Sequence, residues 1–192
     1  MHGCSYEYNS NSKLPYGIYA EGNAIQDIQI PNQWDDPGAC GNGLQEAERC
    51  LVMGKLVAKY LTAVGYECIL FQYDGLNTIC KKENTSNADI FISIHCNAAN
   101  SQALGHEVYY YYNDTTSKKL ATTIYNQTVN SINITRRGVR EAGFAVLRGT
   151  NAKYAVLVET AFIDNAYDAN LLKTKYDDFA RAIARGVTDL SI

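Results

Sequence analysis

Two apolar runs in this chain each end on a side chain that can do chemistry. In DIFISIHC, Ile90, Ile92 and Ile94 lead to His95; in AVLVETAF, Val156, Leu157 and Val158 lead to Glu159. Both runs have the length and continuous apolar character of strands in a sheet covered on both faces. Open α/β sheets bind ligands outside the carboxyl ends of their strands, so an imidazole and a carboxylate delivered to that edge form a candidate site. Either residue alone reads more simply as a strand-end polar group satisfied by neighbouring backbone. Two of them, each closing an apolar strand, favour function.

The attacking group is then found by elimination. Cys96 adjoins His95, but consecutive strand residues point to opposite faces and cannot pair. No serine sits in a G-x-S-x-G elbow. GACGNG holds several glycines, yet it lacks the preceding strand and the following Lys-Ser/Thr of a phosphate loop. What remains is water activated by a metal, with His95 as one ligand. The other histidines are His2, in the opening MHGCSYEY, and His106. A chain end is ordinarily frayed, so a chemical role for His2 requires something downstream to hold it.

The elements that must carry these groups follow from periodicity. Residues 4–35 are rich in Asn, Tyr, Ser and Gly and read as a long irregular segment, with a short strand near AIQDIQI; a loop of this length is functional or disordered. LQEAERCLVMGKLVAKYLTAVG places Leu44, Ala47, Leu51, Met53, Val57 and Leu61 largely on one helical stripe closed by Gly65. YECILFQY, DIFISIHC, GHEVYYYY, FAVLR and AVLVETAF read as strands. LNTICKKENTSNA, TTSKKLATTIYNQTVNSIN, YDANLL and KYDDFARAIARGVTDL read as helices. Alternation of this kind predicts an α/β fold with a mostly parallel central sheet and helices on both faces. The whole of 1–192 is expected to be one domain, with 4–35 insertion-like and no separate second module.

Composition excludes several classes. The net charge of -3 and pI near 5.6 argue against a nucleic-acid binder. No apolar run approaches a membrane span. The polar start lacks a basic n-region and an apolar h-region, which predicts cytosolic action, an export route other than an N-terminal signal, or an excised mature domain. The six cysteines (Cys4, Cys40, Cys50, Cys68, Cys80, Cys96) include no C-x-x-C pair, so zinc-finger spacing is absent. Cys68 and Cys96 read as small buried hydrophobes rather than parts of a disulfide framework.

DPGACGNGLQE (36–46), ADIFISIHCNA (88–98), GHEVYYY (105–111), RRGV (136–139) and FAVLRGTNAKYAVLVETAFIDN (144–165) occur in that order. Together they resemble the zinc-dependent N-acetylmuramoyl-L-alanine amidases of the amidase-3 type, cell-wall hydrolases of autolysins, sporulation enzymes and phage endolysins. The resemblance implies a phosphorylase/hydrolase-like α/β fold and one Zn2+. It implies metal ligands at Glu46 and His95 and a catalytic carboxylate at Glu159. It also calls for a first histidine from a Gly-His-Gly. His2, in Met-His-Gly, is the best match, set some thirty residues further upstream than in relatives; His106, Asn32, or fewer protein ligands are the alternatives. Glu48, on another face of its helix, reads as solvated. Tyr154 stands where relatives carry proline.

The implied reaction is hydrolysis of the amide joining N-acetylmuramic acid to the L-alanine of the stem peptide. Glu159 would take the proton of a metal-activated water. Asn97 and Arg148 are candidate substrate contacts, Arg148 through a stem-peptide carboxylate. Arg136, Arg137 and Arg140 read as a solvated turn, and Tyr109 to Tyr112 as core and sheet surface. Peptidoglycan is the expected partner, and a monomer is expected. The competing readings are a non-catalytic wall-binding or regulatory relative with a degraded metal site, and a zinc peptidase acting on the stem peptide.

Overall fold

The computed structural model describes residues 37–72 and 76–190, together with the backbone of 16–20. The expectations for His2, Cys4, Asn32 and the AIQDIQI segment lie outside the described residues. In chain order the elements are β1 (Tyr16–Ala20), β2 (Cys40–Gly41), β3 (Leu44–Gln45), α1 (Glu46–Thr62), β4 (Cys68–Gln72), α2 (Leu76–Ser86), β5 (Ile90–Asn97), β6 (His106–Tyr110), α3 (Thr115–Ser131), β7 (Arg136–Glu141), α4 (Ala145–Gly149), β8 (Tyr154–Phe162), α5 (Ala166–Thr174) and α6 (Tyr176–Thr188).

Six strands form one sheet in the order β4-β1-β5-β8-β6-β7, while β2 and β3 make a separate hairpin. The sheet is mixed. The pairs β5–β8 and β6–β7 are parallel; β6 meets β8 antiparallel, and β1 lies antiparallel between β4 and β5. Strands β4, β5 and β8 therefore share one direction, and their carboxyl ends lie at one edge.

The alternation of side chains in the central strands builds two cores. Ile90, Ile92, Ile94, Val156 and Val158 face α1, α3, α5 and α6. Phe91, Ala155 and Leu157 face α2 and α4 through Ile79, Val146 and Leu147. Helices thus cover both faces, as the α/β reading requires. Asp114 caps α3 by accepting from the Thr116 and Ser117 N–H groups, and Asn165 does the same for α5 with Tyr167 and Asp168. Among the described residues, no helix is long and apolar enough to cross a membrane.

Two local expectations are corrected. FAVLR is not a strand: the Leu147 and Arg148 N–H groups both donate to the Phe144 carbonyl at 3.0 Å, and 145–149 turn as helix α4. The turn lets the consecutive Val146 and Leu147 bury on the same side against α2, whereas a strand would send them to opposite faces. Conversely, Arg136, Arg137 and Arg140, read as a solvated turn, lie on the edge strand β7. Its charge is what a sheet edge carries to discourage further pairing, and it erases the apolar alternation by which a strand is recognised.

Candidate active site

Glu46 reaches the sheet edge because a hairpin aims it there. Asn42 and Gly43, with φ of 52° and 76°, make the two-residue turn between β2 and β3. Asn-Gly favours this turn because both positions need positive φ. The hairpin is pinned to the loop after β8, where the Asn42 amide donates to the Ile163 carbonyl at 3.0 Å. The chain then enters α1 with Glu46 in its first turn, its N–H on the Ala39 carbonyl at 2.9 Å. The carboxylate is held at both oxygens: Oε2 accepts from Ala39 N–H at 2.9 Å, and Oε1 from Cys96 N–H at 3.2 Å. Gly38, at φ 70°, leaves room for it; a Cβ there would lie 2.7 Å from Glu46 Oε2.

His95 meets that carboxylate directly, with Nδ1 at 2.9 Å from Glu46 Oε1. Its other nitrogen, Nε2, lies 2.9 Å from the Ser93 hydroxyl, two residues back on the same face of β5. A hydroxyl both donates and accepts, so Ser93 can hold the ring in either neutral tautomer. Cys96 points the other way, its sulfur 3.7 Å from that of Cys50 on α1, so the separation of Cys96 from His95 holds. Burial pushes the Cys50 thiol well above its ordinary value. Among the described residues Cys40, Cys50, Cys68, Cys80 and Cys96 are all free thiols.

Glu159 stands beside His95 as its register partner on β8. Glu107 of β6 is in turn the register partner of Glu159. Partners on neighbouring strands place their Cβ atoms about 5 Å apart on a common face. His95, Glu159 and Glu107 are all buried, and they form a lateral row across three strands. The Asn97 amide donates to Glu107 Oε1 at 2.9 Å. Arg137 and Arg140 bring Nε to 3.0 and 3.4 Å from Glu107 Oε2. Burial, reinforced by the Glu107 carboxylate, pushes the Tyr109 phenol up to about 12.

The remaining candidates fall apart from this group. Arg148 is exposed on α4, with its charge close to Cys80. No hydrogen bond or ion pair joins it to Glu46, His95 or Glu159 among the described residues. His106 is fully buried on the opposite face, stacked on Tyr125 with ring centroids 5.6 Å apart, and its Nδ1–H donates to the Glu159 carbonyl at 3.0 Å. Burial lowers its pKa to about 4. It is a neutral core histidine bracing the backbone of β8, not a ligand at the sheet edge. Glu48 is solvated beside Arg49.

Glu107 is a site residue that the sequence reading passed over, and Ser93 of the Ser-x-His stretch was given no role of its own. Glu107 carried a signal: in GHEVYYYY, a carboxylate shares the face of Tyr109 and Tyr111, and a charged group inside a strand calls for partners. Ser93 carried a weaker one, as the polar residue two positions before His95 in an otherwise apolar run.

Glu46 and His95 place an anchored carboxylate oxygen and an anchored imidazole nitrogen face to face, the ligand types that suit zinc. Among the described residues no group of three or more His, Cys, Asp or Glu side chains converges on a metal position. The pair therefore fits as two ligands of a site that needs a further donor.

A layered α/β domain that gathers an imidazole and two flanking carboxylates at the carboxyl edge of its central strands is thereby defined. The chain belongs to the amidase-3 family, N-acetylmuramoyl-L-alanine amidase, whose profile matches residues 32–189. That stretch includes Glu46, His95, Asn97, Arg148 and Glu159 and stops short of His2. The chain is similar to the N-acetylmuramoyl-L-alanine amidase LytC of Bacillus subtilis, 39% identical over 160 residues covering 79% of this chain and 32% of LytC. It is also similar to the sporulation-specific N-acetylmuramoyl-L-alanine amidase of that species, 36% identical over 158 residues covering 79% of this chain and 60% of the relative. It thus spans less than two thirds of either relative. Among solved structures, an N-acetylmuramoyl-L-alanine amidase of Clostridium difficile 630 superposes with a TM-score of 0.75 at 28% identity, covering 83% of this chain and 92% of that one. AmiC2 of Nostoc punctiforme gives 0.72 at 33% identity, with the same coverage.

Proposed function

We propose that this domain hydrolyses the amide between N-acetylmuramic acid and L-alanine in peptidoglycan, with one Zn2+ held by Glu46, His95 and His2 and with Glu159 as general base. The observation that carries the reading is the Glu46–His95 contact of 2.9 Å with Glu159 in register beside it. Family membership supplies the bond. A bound zinc ion contributes Lewis acidity, polarising the scissile carbonyl and lowering the pKa of water toward neutrality.

The protein's own groups have distinct tasks. His95, with Nδ1 facing Glu46 Oε1 and Nε2 facing the Ser93 hydroxyl, would hold the ion together with Glu46, and Ser93 is the kind of outer partner that orients a ligating imidazole. Ala39 and Cys96 N–H groups hold Glu46 in one rotamer. Glu159 receives the proton of the attacking water and returns it to the departing alanine amine. Asn97, locked by Glu107, presents its remaining amide hydrogen-bonding capacity to the substrate. The domain acts on the cell wall, as a monomer on this reading.

Zinc analysis and wall digestion test the reading together. The protein should bind zinc near one equivalent. It should release intact stem peptides bearing a free N-terminal alanine, lose that activity to a chelator, and regain it with zinc. Trimmed stem peptides would instead mean a peptidase, and substoichiometric zinc with wall binding alone would mean a non-catalytic relative.

A further inference from the structure

Glu107 is a buried carboxylate whose one task in the proposed hydrolysis is to hold Asn97, yet it also organises the row beside Glu159. It is 1% exposed and carries two arginines on one oxygen. Two guanidiniums face this one carboxylate, and the neighbouring carboxylate of the row, Glu159, comes from the next strand. Both heads are fixed. The Arg137 guanidinium lies 4.9 Å over the Phe162 ring, and Arg140 donates from Nε and Nη2 to the Arg137 carbonyl at 3.3 and 3.2 Å. Their side chains nonetheless remain 30% and 49% exposed. A guanidinium has five N–H donors in a planar fork, so each head keeps donors for a second carboxylate.

The floor beside them is open. Gly138 of β7 is the register partner of Glu107 and extends the row His95–Glu159–Glu107 to a fourth strand. A Cβ at Gly138 would meet nothing within 4 Å, and its φ of 104° disfavours side chains. Two strand spacings, about 10 Å, separate β8 from β7, and the arginines lean back over that gap toward Glu107. Two residues of extended peptide span about 7 Å. A stem peptide whose first amide lies over His95 and Glu159 therefore brings the α-carboxylate of its second residue to the guanidiniums.

We propose that Arg137 and Arg140, clamped by Glu107, form an anionic subsite for the α-carboxylate of the second stem-peptide residue, distinguishing it from the carboxamide. This rests on the amidase reading and assigns to β7 the carboxylate contact first expected of Arg148. Glu107 is a positioning residue here; the arginines bind.

Calorimetry with the tripeptide L-alanyl-γ-D-glutamyl-L-lysine, its α-carboxyl free or amidated, tests the subsite without turnover. The wild-type protein should bind the carboxylate form about tenfold more tightly, the size of one charge-assisted hydrogen bond. Arg140→Gln, at the more exposed position, should bring the two within twofold; Arg137→Gln should act in the same direction. Lys55→Gln, which removes an exposed charge on α1, should keep the preference. Equal binding of both peptides, binding of neither, or a preference that survives Arg140→Gln overturns the subsite. Hydrolysis of muropeptides, measured separately, tests the amidase reading. Turnover without carboxylate preference sinks only the subsite, and preference without turnover sinks only the amidase.

Discussion

Glu46 and His95 come from opposite kinds of element, the first turn of a helix and the last turns of a central strand, and meet at 2.9 Å. Glu159 stands at the same level on the neighbouring strand β8, so the Glu46–His95 contact depends on how α1 is docked while the place of Glu159 depends on sheet register. Mutations in the two parts should therefore have separable effects.

Glu159→Gln keeps the volume and polarity of the side chain but cannot accept the proton. Turnover of muropeptides should fall by about a hundredfold to ten thousandfold. Zinc content and thermal stability should stay close to wild type. Undiminished lysis would remove Glu159 from the mechanism.

Gly38→Ala places a methyl group where Glu46 Oε2 needs the space, at 2.7 Å, and imposes a side chain at φ 70°. The strain costs about 1–2 kcal/mol, which lowers Tm by several degrees. The displaced carboxylate should weaken zinc binding by more than Gly43→Ala does, because a Cβ at Gly43 meets no atom within 4 Å despite a similar φ of 76°. Chelator competition on the two variants side by side measures the difference.

Ser93→Ala removes the partner of His95 Nε2. Loss of such outer partners typically costs about 10–100-fold in metal affinity, and the fold should be unchanged by circular dichroism. Ser93→Thr, which restores the hydroxyl, should recover part of the affinity. Equal affinity in all three proteins would show that Glu46 alone orients the ring.

His106 predicts the acid limb of stability. Its pKa falls from 6.5 in the unfolded chain to about 4 in the fold, so below 6.5 the unfolded state binds the proton that the folded state refuses. Stability contributed by this group is full above 6.5 and is lost as pH falls toward 4. The expected loss between pH 7 and pH 5 is about 2 kcal/mol. Urea unfolding at the two pH values should show it, and His106→Gln should flatten that part of the profile.

Much of this arrangement was legible in the sequence because strands and apolar helices follow from periodicity alone. The continuous runs ending at His95 and Glu159 disclosed both β5 and β8 and the edge where the chemistry gathers. Glu46 was legible only through family likeness, because its placement depends on a hairpin with two-residue strands, too short for any period. Strand β7 was hidden by its charge. Arg148 was misplaced for a related reason: reading FAVLR as a strand carried its last residue to the sheet edge, whereas one turn of helix leaves it exposed beside Cys80. Glu107 was visible in principle, but its importance emerges only once β6 is known to run antiparallel to β8, which puts the beginning of one strand against the end of the other.

The Asn42–Gly43 hairpin ties the start of α1 to the loop leaving β8 through the Asn42–Ile163 bond, so the placement of Glu46 is coupled to a segment 121 residues further along the chain. A change in the loop after β8 should therefore be felt at the Glu46 carboxylate as well as at Glu159, two groups that reach the sheet edge from distant parts of the chain.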